Sequence, residues 1–364
     1  MTAQLRRTLP PGPLDIIGDV HGELGALERL LDRLGVDPVA LTAPRPLVFV
    51  GDLVDRGPDS YGVVRLVQRL HAAGLAHCVA GNHELNLLAG QRKEGNQWAR
   101  SDELERFHMP FEGELISGVF HSKPAPEAKR EDMLTFLREL PLLLERDDLR
   151  VVHACWWPEA VASLPERGDI ATLSKDWQRQ IDSKLKADGW IKRRSAELAA
   201  AAQLKDPQAP PSVKPEAHVH VTEARQRLNP IRALTSGLER PLRAHERGEF
   251  KGGKWRYLRR MEWWREYRER QSVVVGHYWR SRVNAASGTW VTETPTSWAG
   301  PLGNVFCVDY SVGRRFAERQ VGRSTFQGAL AALRWPERTL VFDDQDGELQ
   351  TTGWGAGDDN SDGR

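Results

Sequence analysis

The sequence predicts an α/β protein built on an open sheet whose strand ends carry the chemistry. Short apolar runs end in Gly-Asp or Gly-Asn, a stretch of helical periodicity follows each run, and the unit recurs three times within the first ninety residues. Leu14-Asp15-Ile16-Ile17 leads into Gly18-Asp19, and Leu24, Leu27, Leu30, Leu31 and Leu34 then recur at helical spacing. Leu47 to Val50 leads into Gly51-Asp52, with a helix expected near Ser60 to Ala73. Leu75 to Ala80 leads into Gly81-Asn82, with a further helix expected after it. Continuous apolar runs suit strands buried on both faces. Open α/β sheets gather their ligands at the carboxyl ends of the strands.

Later elements extend the pattern. Glu131 to Leu140 reads as a helix stopped by Pro141, and Leu149 to Val152 as a strand ending at His153. Ser272 to Val275 reads as a strand ending at Gly276-His277, with Asn304 to Tyr310 and Thr339 to Phe342 as late strands of the same system. Residues 1–155 and 271–343 are therefore expected to form one catalytic core. Residues 156–270 read as a helical insert rich in basic and aromatic side chains. Within it Ser174 to Lys205 reads as helix, and 206–216, with four prolines, as a stiff linker. Residues 344–364 read as an acidic, Gly-rich tail, disordered at its end.

Composition removes several function classes. The 364 residues carry 51 basic against 50 acidic side chains, which gives no global argument for nucleic acid or an anionic membrane surface. No apolar run of about 18 residues occurs, so no membrane span is expected. Cys78, Cys155 and Cys307 are far apart and form no C-x-x-C pair. Free thiols, a reducing compartment and a cytoplasmic location are expected.

The chemistry-bearing signals stand in order: Gly18-Asp19-Val20-His21-Gly22, Gly51-Asp52-Leu53-Val54-Asp55-Arg56-Gly57, Gly81-Asn82-His83-Glu84, then His153 and Gly276-His277. Two divalent ions about 3.5–4 Å apart can clamp a phosphate and activate a water. Carboxylate, amide and imidazole donors suit such ions. Asp19 and His21, two apart at one strand end, can point at one ion, and Asp52 at the next strand end can bridge. Asn82, His153 and His277 can complete the second.

Taken together, these motifs resemble the calcineurin-like metallophosphoesterase superfamily in its phosphoprotein-phosphatase branch. That branch reads Gly-Asp-x-His-Gly, Gly-Asp-x-x-Asp-Arg-Gly, Gly-Asn-His-Glu/Asp and two later histidines. The resemblance covers residues 14–155 and 271–343. It implies a four-layer fold, a sandwich of two mixed sheets flanked by helices. It implies two divalent metal ions, manganese first, with Fe, Zn, Mg, Co or Ni as alternatives. Asp19, His21 and Asp52 would hold one ion, and Asp52, Asn82, His153 and His277 the other. His83 would protonate the leaving oxygen, Asp55 would hold the His83 ring, and Arg56 would bind phosphate oxygens. Glu84 is expected to support the site or cap a helix rather than ligate.

Within the branch, the stretches Gly81 to Ala89, Leu134 to Leu143, Gly276 to Trp279 and Leu333 to Trp335 resemble the symmetrical dinucleoside tetraphosphatases. This implies hydrolysis of a phosphoester or phosphoanhydride in a nucleotide-type substrate. Two departures stand beside it: Asp309-Tyr310-Ser311-Val312 replaces that family's Asp-Thr-Gly-Cys, and the insert is longer. A bacterial-type Ser/Thr protein phosphatase is the alternative. The reading of another class is a nucleic-acid-binding or scaffold protein with a vestigial site. It would use Val221 to Arg282, which holds sixteen Lys/Arg against seven Asp/Glu. Lys254 to Arg265 reads as an amphipathic helix with Tyr257, Leu258, Met261 and Trp264 on the core. Its functional alternative is a lid where bases stack on tryptophan and phosphates meet arginine.

Overall fold

A computed structural model describes residues 2–93, 95–100, 105–200, 215–243, 246–250, 255–282 and 294–355. Two sheets form the centre. One has six strands in the order 345–350, 339–342, 331–335, 14–17, 47–49, 76–78. The other has five, in the order 305–307, 272–275, 149–152, 143–145, 6–8. Both are mixed. Leu14–Ile17, Leu47–Phe49 and Ala76–Cys78 run parallel, as do Leu149–Val152, Ser272–Val275 and Val305–Cys307. The pairings of Ala331–Trp335 with its neighbours, and of Leu143–Glu145 with Leu149–Val152, are antiparallel.

The period of two along a strand explains how the sheets stack. Leu14, Ile16 and Val48 share one core with Val151, Val274 and Phe306 of the other sheet, so these side chains face each other between the layers. The alternate residues Ile17, Leu47, Phe49, Val152, Val273 and Val275 belong to a second core with helical residues. Leu27, Leu30 and Leu31 of helix Leu24–Arg33, Val63, Val64 and Val67 of helix Ser60–Ala72, and Ile231 and Leu234 of helix Pro230–Ser236 complete it. The fold is thus helix, sheet, sheet, helix.

Most expected elements stand within a few residues of their place. The helix expected over Glu131 to Leu140 runs from Glu127 to Arg138. The long helix expected from Ser174 is two, Ile170–Ala187 and Trp190–Ala200, because Gly189 takes a left-handed φ of 78° and stops the first. Residues 206–214 of the expected linker lie outside the described residues.

Two expectations are corrected. Lys254 to Arg265 is not an amphipathic helix: Trp255–Arg256 and Leu258–Arg260 are strands, and Trp263–Arg265 is one 3₁₀ turn. Leu258–Arg260 pairs antiparallel with Glu239–Pro241, so tertiary pairing overrides a pattern that fits either period. The tail expected from 344 is in part an edge strand, since Gln345–Gln350 pairs with Thr339–Phe342. All six of its residues are exposed, so no apolar alternation marks it as a strand. The far end of that tail, 356–364, lies outside the described residues. A hairpin of Glu105–Phe111 and Glu114–Phe120 has no counterpart in the sequence reading.

Candidate metal centre

Parallel strands carry their carboxyl ends to one edge, and the turns after them converge there. Gly18-Asp19, Gly51-Asp52, Gly81-Asn82, His153, Gly276-His277 and Asp309 each follow a strand of one of the two sheets. The sharp turns need the missing side chains. A Cβ on Gly276 would lie 2.0 Å from Asp19 Oδ1, and one on Gly81 2.2 Å from Asp52 Oδ1.

Asp52 is the hub. Its Oδ2 lies 3.3 Å from His153 Nε2, 3.8 Å from His21 Nε2 and 3.9 Å from His83 Nε2. Asp19 Oδ2 is 3.8 Å from His21 Nε2, and the backbone N–H of His277 donates to the Asp19 carboxylate at 3.1 Å. Asp19 and His277, 258 residues apart in sequence, are therefore adjacent. Two overlapping groups have ligand atoms within 4.8 Å of one another: His21, Asp52 and His83, and Asp52, His153 and His277. Asp52 belongs to both.

The donor set fits divalent cations. His21 Nδ1 is 3.2 Å from Val54 O, and His153 Nδ1 is 2.7 Å from Val50 O. A proton held on each Nδ1 by a backbone carbonyl leaves the Nε2 lone pair for a metal. The buried His277 Nε2 has no hydrogen-bond partner among the described residues. The amide end of Asn82 sits 2.8 Å from His277 Nδ1 and 3.3 Å from Thr235 O. The amide nitrogen on that side donates to both, and the amide oxygen accepts from His83 N at 3.3 Å.

Electrostatics agree with a cation site. Burial raises the Asp52 carboxyl, but the imidazoles of His153 and His83 outweigh it and hold Asp52 well below the ordinary carboxylate range. Burial lowers His153, but Asp52 and Asp19 dominate and push it up to about 10. Asp19 is raised by burial and by the neighbouring Asp309 carboxylate. His21 and His277 are held well below the ordinary imidazole value by burial and by Arg56 and Arg260 respectively. The negative charge held on Asp52 draws protons or cations, and neutral imidazoles are the form that ligates.

Beside this hub lies a second constellation. His83 Nδ1 meets Asp55 Oδ2 at 2.6 Å, and Asp55 is fully buried. Arg56, half-buried at the mouth, donates to His21 Nε2 at 3.0 Å and His83 Nε2 at 3.3 Å, with its guanidinium 5.3 Å from the centre of the Trp279 ring. Glu84 stands apart from both metal-ligand groups. Its carboxylate accepts the backbone N–H groups of Asp52, Leu53 and Gly81, stapling the second and third motifs together.

The structure brings all nine residues singled out from sequence into this one region. It also adds residues to which the sequence assigned no role in the site. Asp309 is buried, with Oδ1 accepting from Ser311 N and Oδ2 without a partner among the described residues. An apolar run ending in Asp was the same signal that marked Asp19 and Asp52. Trp98, buried, donates through Nε1 to Asp55 Oδ1 at 2.8 Å. No local pattern announces it, because the contact spans 43 positions.

A family model described as calcineurin-like phosphoesterase matches residues 12–184. Residues 12–184 are a calcineurin-like phosphoesterase domain. The phosphoesterase domain so matched holds Asp19, His21, Asp52, Asn82 and His153, and the later strand supplies His277 to its edge. The symmetrical bis(5'-nucleosyl)-tetraphosphatase of Ralstonia nicotianae is 33% identical over 174 residues, 47% of this chain and 50% of that protein. The asymmetrical bis(5'-nucleosyl)-tetraphosphatase PrpE of Oceanobacillus iheyensis is 50% identical over 74 residues, 19% of this chain and 30% of that protein. A solved cold-active protein-tyrosine phosphatase of a Shewanella species covers 94% of this chain and 83% of its own at a TM-score of 0.44 and 16% identity. The match spans 50% of the length of the first of these relatives. Among the described residues no helix is long and apolar enough to cross a membrane.

Proposed function

We propose that the protein is a dinuclear-metal phosphoesterase that hydrolyses a phosphoester or phosphoanhydride, with a nucleotide of the dinucleoside polyphosphate type as substrate. The observation that carries the reading is Asp52 Oδ2, set within 3.3–3.9 Å of three imidazole Nε2 atoms, with the His83–Asp55 pair alongside. Asp19, His21 and Asp52 would hold one cation, and Asp52, Asn82, His153 and His277 the other. Manganese is the first choice. Cations held there supply charge against phosphate oxygens and make a water acidic enough to attack phosphorus near neutral pH.

The chain's own residues do the rest. Arg56 now donates to two imidazoles, and a phosphate offers its fork better acceptors. His83 gives its Nε2 proton to the leaving oxygen as the bond from phosphorus to that oxygen breaks. Asp55 keeps the ring oriented through Nδ1 while this happens. The tetraphosphatase relatives support the nucleotide class. The three cysteines are free and buried, which suits a reducing, cytoplasmic setting.

The test compares dinucleoside polyphosphates and mononucleotides with a phosphopeptide panel, using protein loaded with manganese. Turnover of the nucleotide class, reduced about 10²–10⁴-fold in His83→Ala, is expected. Turnover of phosphopeptides alone would move the substrate to phosphoprotein. Unchanged turnover in His83→Ala would remove His83 from the mechanism.

A further inference from the structure

The Asp55 carboxylate has two oxygens, and among the described residues each has one side-chain hydrogen-bond partner. Oδ2 faces His83 Nδ1 at 2.6 Å, and Oδ1 accepts the indole N–H of Trp98 at 2.8 Å. The torsion that turns a carboxylate about its last bond is broad and has no sharp rotamer well. What fixes the Asp55 plane is therefore its hydrogen bonds. An indole N–H only donates, so it holds Oδ1 without competing for the His83 proton. A buried indole N–H needs some acceptor, and here that acceptor is the group that orients His83.

The chain around Trp98 is built onto the turn that carries Asp55. Arg56 N donates to Gly95 O at 3.2 Å on one side of Trp98. On the other side, Ala125 N donates to Trp98 O at 2.9 Å, Lys123 N to Pro58 O at 2.8 Å and Ser122 Oγ to Gly57 O at 2.6 Å. Segment and turn are tied directly at Gly95–Arg56 and indirectly through residues 122–125, which bond Trp98 at one end and the turn at the other, so the indole is held in register with the carboxylate. Asp55 itself sits at a left-handed φ of 76°, its N–H donating to Ser60 Oγ at 2.9 Å.

We propose that Trp98 is a positioning residue for proton transfer by His83, acting through Asp55. The inference rests on His83 being the proton donor to the leaving oxygen. In that step His83 gives up its Nε2 proton, the bond between phosphorus and the leaving oxygen breaks, and the ring ends neutral with Nδ1–H still on Asp55 Oδ2. Without the indole the carboxylate plane can turn, and the imidazole loses its aim at the leaving atom. The deficit falls on substrates that need the proton most.

The experiment uses manganese-loaded full-length protein and two aryl phosphates, p-nitrophenyl phosphate with a good leaving group and phenyl phosphate with a poor one. His83→Ala serves as the benchmark. Trp98→Phe keeps most of the packing and removes the donor. It is expected to lower kcat on phenyl phosphate about 10-fold more than on p-nitrophenyl phosphate, with KM unchanged. Trp98→His, which restores a ring N–H, is expected to recover part of the difference. If Trp98→Phe does not fold, β-(3-benzothienyl)alanine at position 98 decides, since sulfur there replaces the indole N–H in the same shape. Equal loss on both substrates, or no loss, overturns the role of Trp98 if His83→Ala still discriminates between them. If His83→Ala does not discriminate, the assignment of His83 falls and the inference falls with it.

Discussion

Asp15 offers a test of how burial sets stability in this fold. It sits in strand Leu14–Ile17, directly across from Arg334, and is 1% exposed. Neither carboxyl oxygen has a hydrogen-bond partner among the described residues. Arg334 Nε is 3.5 Å from Oδ1, but the same guanidinium donates to Glu348 at 2.7 Å. Burial therefore dominates, and the carboxyl rises from the ordinary 3.8 to about 6 despite Arg334 and Arg45. Between those values the folded chain holds a proton that the unfolded chain has lost. Stability then falls as pH rises through the window, and above about 6 the penalty is constant. The distance between the two values corresponds to about 3 kcal/mol. Asp15→Asn removes the ionisation and leaves Arg334 paired with Glu348. The variant is expected to be more stable than the parent at pH 8 by about 1–3 kcal/mol, since an amide still leaves polar atoms to satisfy. At pH 4 the difference should vanish. Urea unfolding of both proteins at pH 4, 6 and 8, at equal metal loading, reads it. A variant less stable at pH 8, or a difference independent of pH, would refute the reasoning.

Two further substitutions address the site. Asp52→Asn removes the carboxylate common to both ligand groups; losing even an outer support of a metal ligand lowers affinity about 10–100-fold, so manganese affinity should fall further than that. Equilibrium dialysis with metal analysis should then give about two ions per parent chain and one or none in the variant. Gly313→Ala would place a Cβ 2.5 Å from His21 Cδ2 and 3.0 Å from Arg56 Nη1. It is expected to reduce kcat about 10–100-fold while the melting temperature stays within a few degrees, as a displacement of about 1 Å at a reacting site does; unchanged kcat would show that His21 and Arg56 yield freely.

How much of this was legible in the sequence follows from which interactions are local. Leu149–Val152 and Ser272–Val275 were readable residue for residue because both faces of those strands are buried, so every residue of each run but Arg150 and Ser272 is apolar. The ligand candidates were readable because each follows such a run at a Gly-bearing turn or a strand end. Gln345–Gln350 was not, because an edge strand with every side chain exposed has the composition of a tail. Leu258–Arg260 was not, because its strand character comes from pairing with Glu239–Pro241, not from its own period. The hold of Trp98 on Asp55 was not, because nothing near residue 98 specifies its distant partner. Sequence pattern reported what lies at strand ends; contacts between turns had to come from the fold.

Those turns also show what the site demands of the rest of the molecule. Of the nine non-glycine residues with positive φ among the described residues, six are His21, Asp52, Asp55, Arg56, His277 and Ser311. A left-handed conformation costs about 1–2 kcal/mol for a residue with a Cβ, so six approach the net stability of a typical domain, about 5–15 kcal/mol. Such strain persists only where the surroundings over-determine it. Here each of the six has its own backbone N–H engaged. His21 donates to Asp52 O, Asp52 to Glu84, Asp55 to Ser60, Arg56 to Gly95 O, His277 to Asp19 and Ser311 to Asp309. Three of the acceptors are buried carboxyl groups, so these N–H groups are satisfied away from water. Asp19 therefore has two tasks: its carboxylate is a candidate ligand and also the brace for the strained backbone of His277. The two sheets are coupled through that side chain and through His153 Nδ1 on Val50 O, so a ligand group drawn from both is held at one edge.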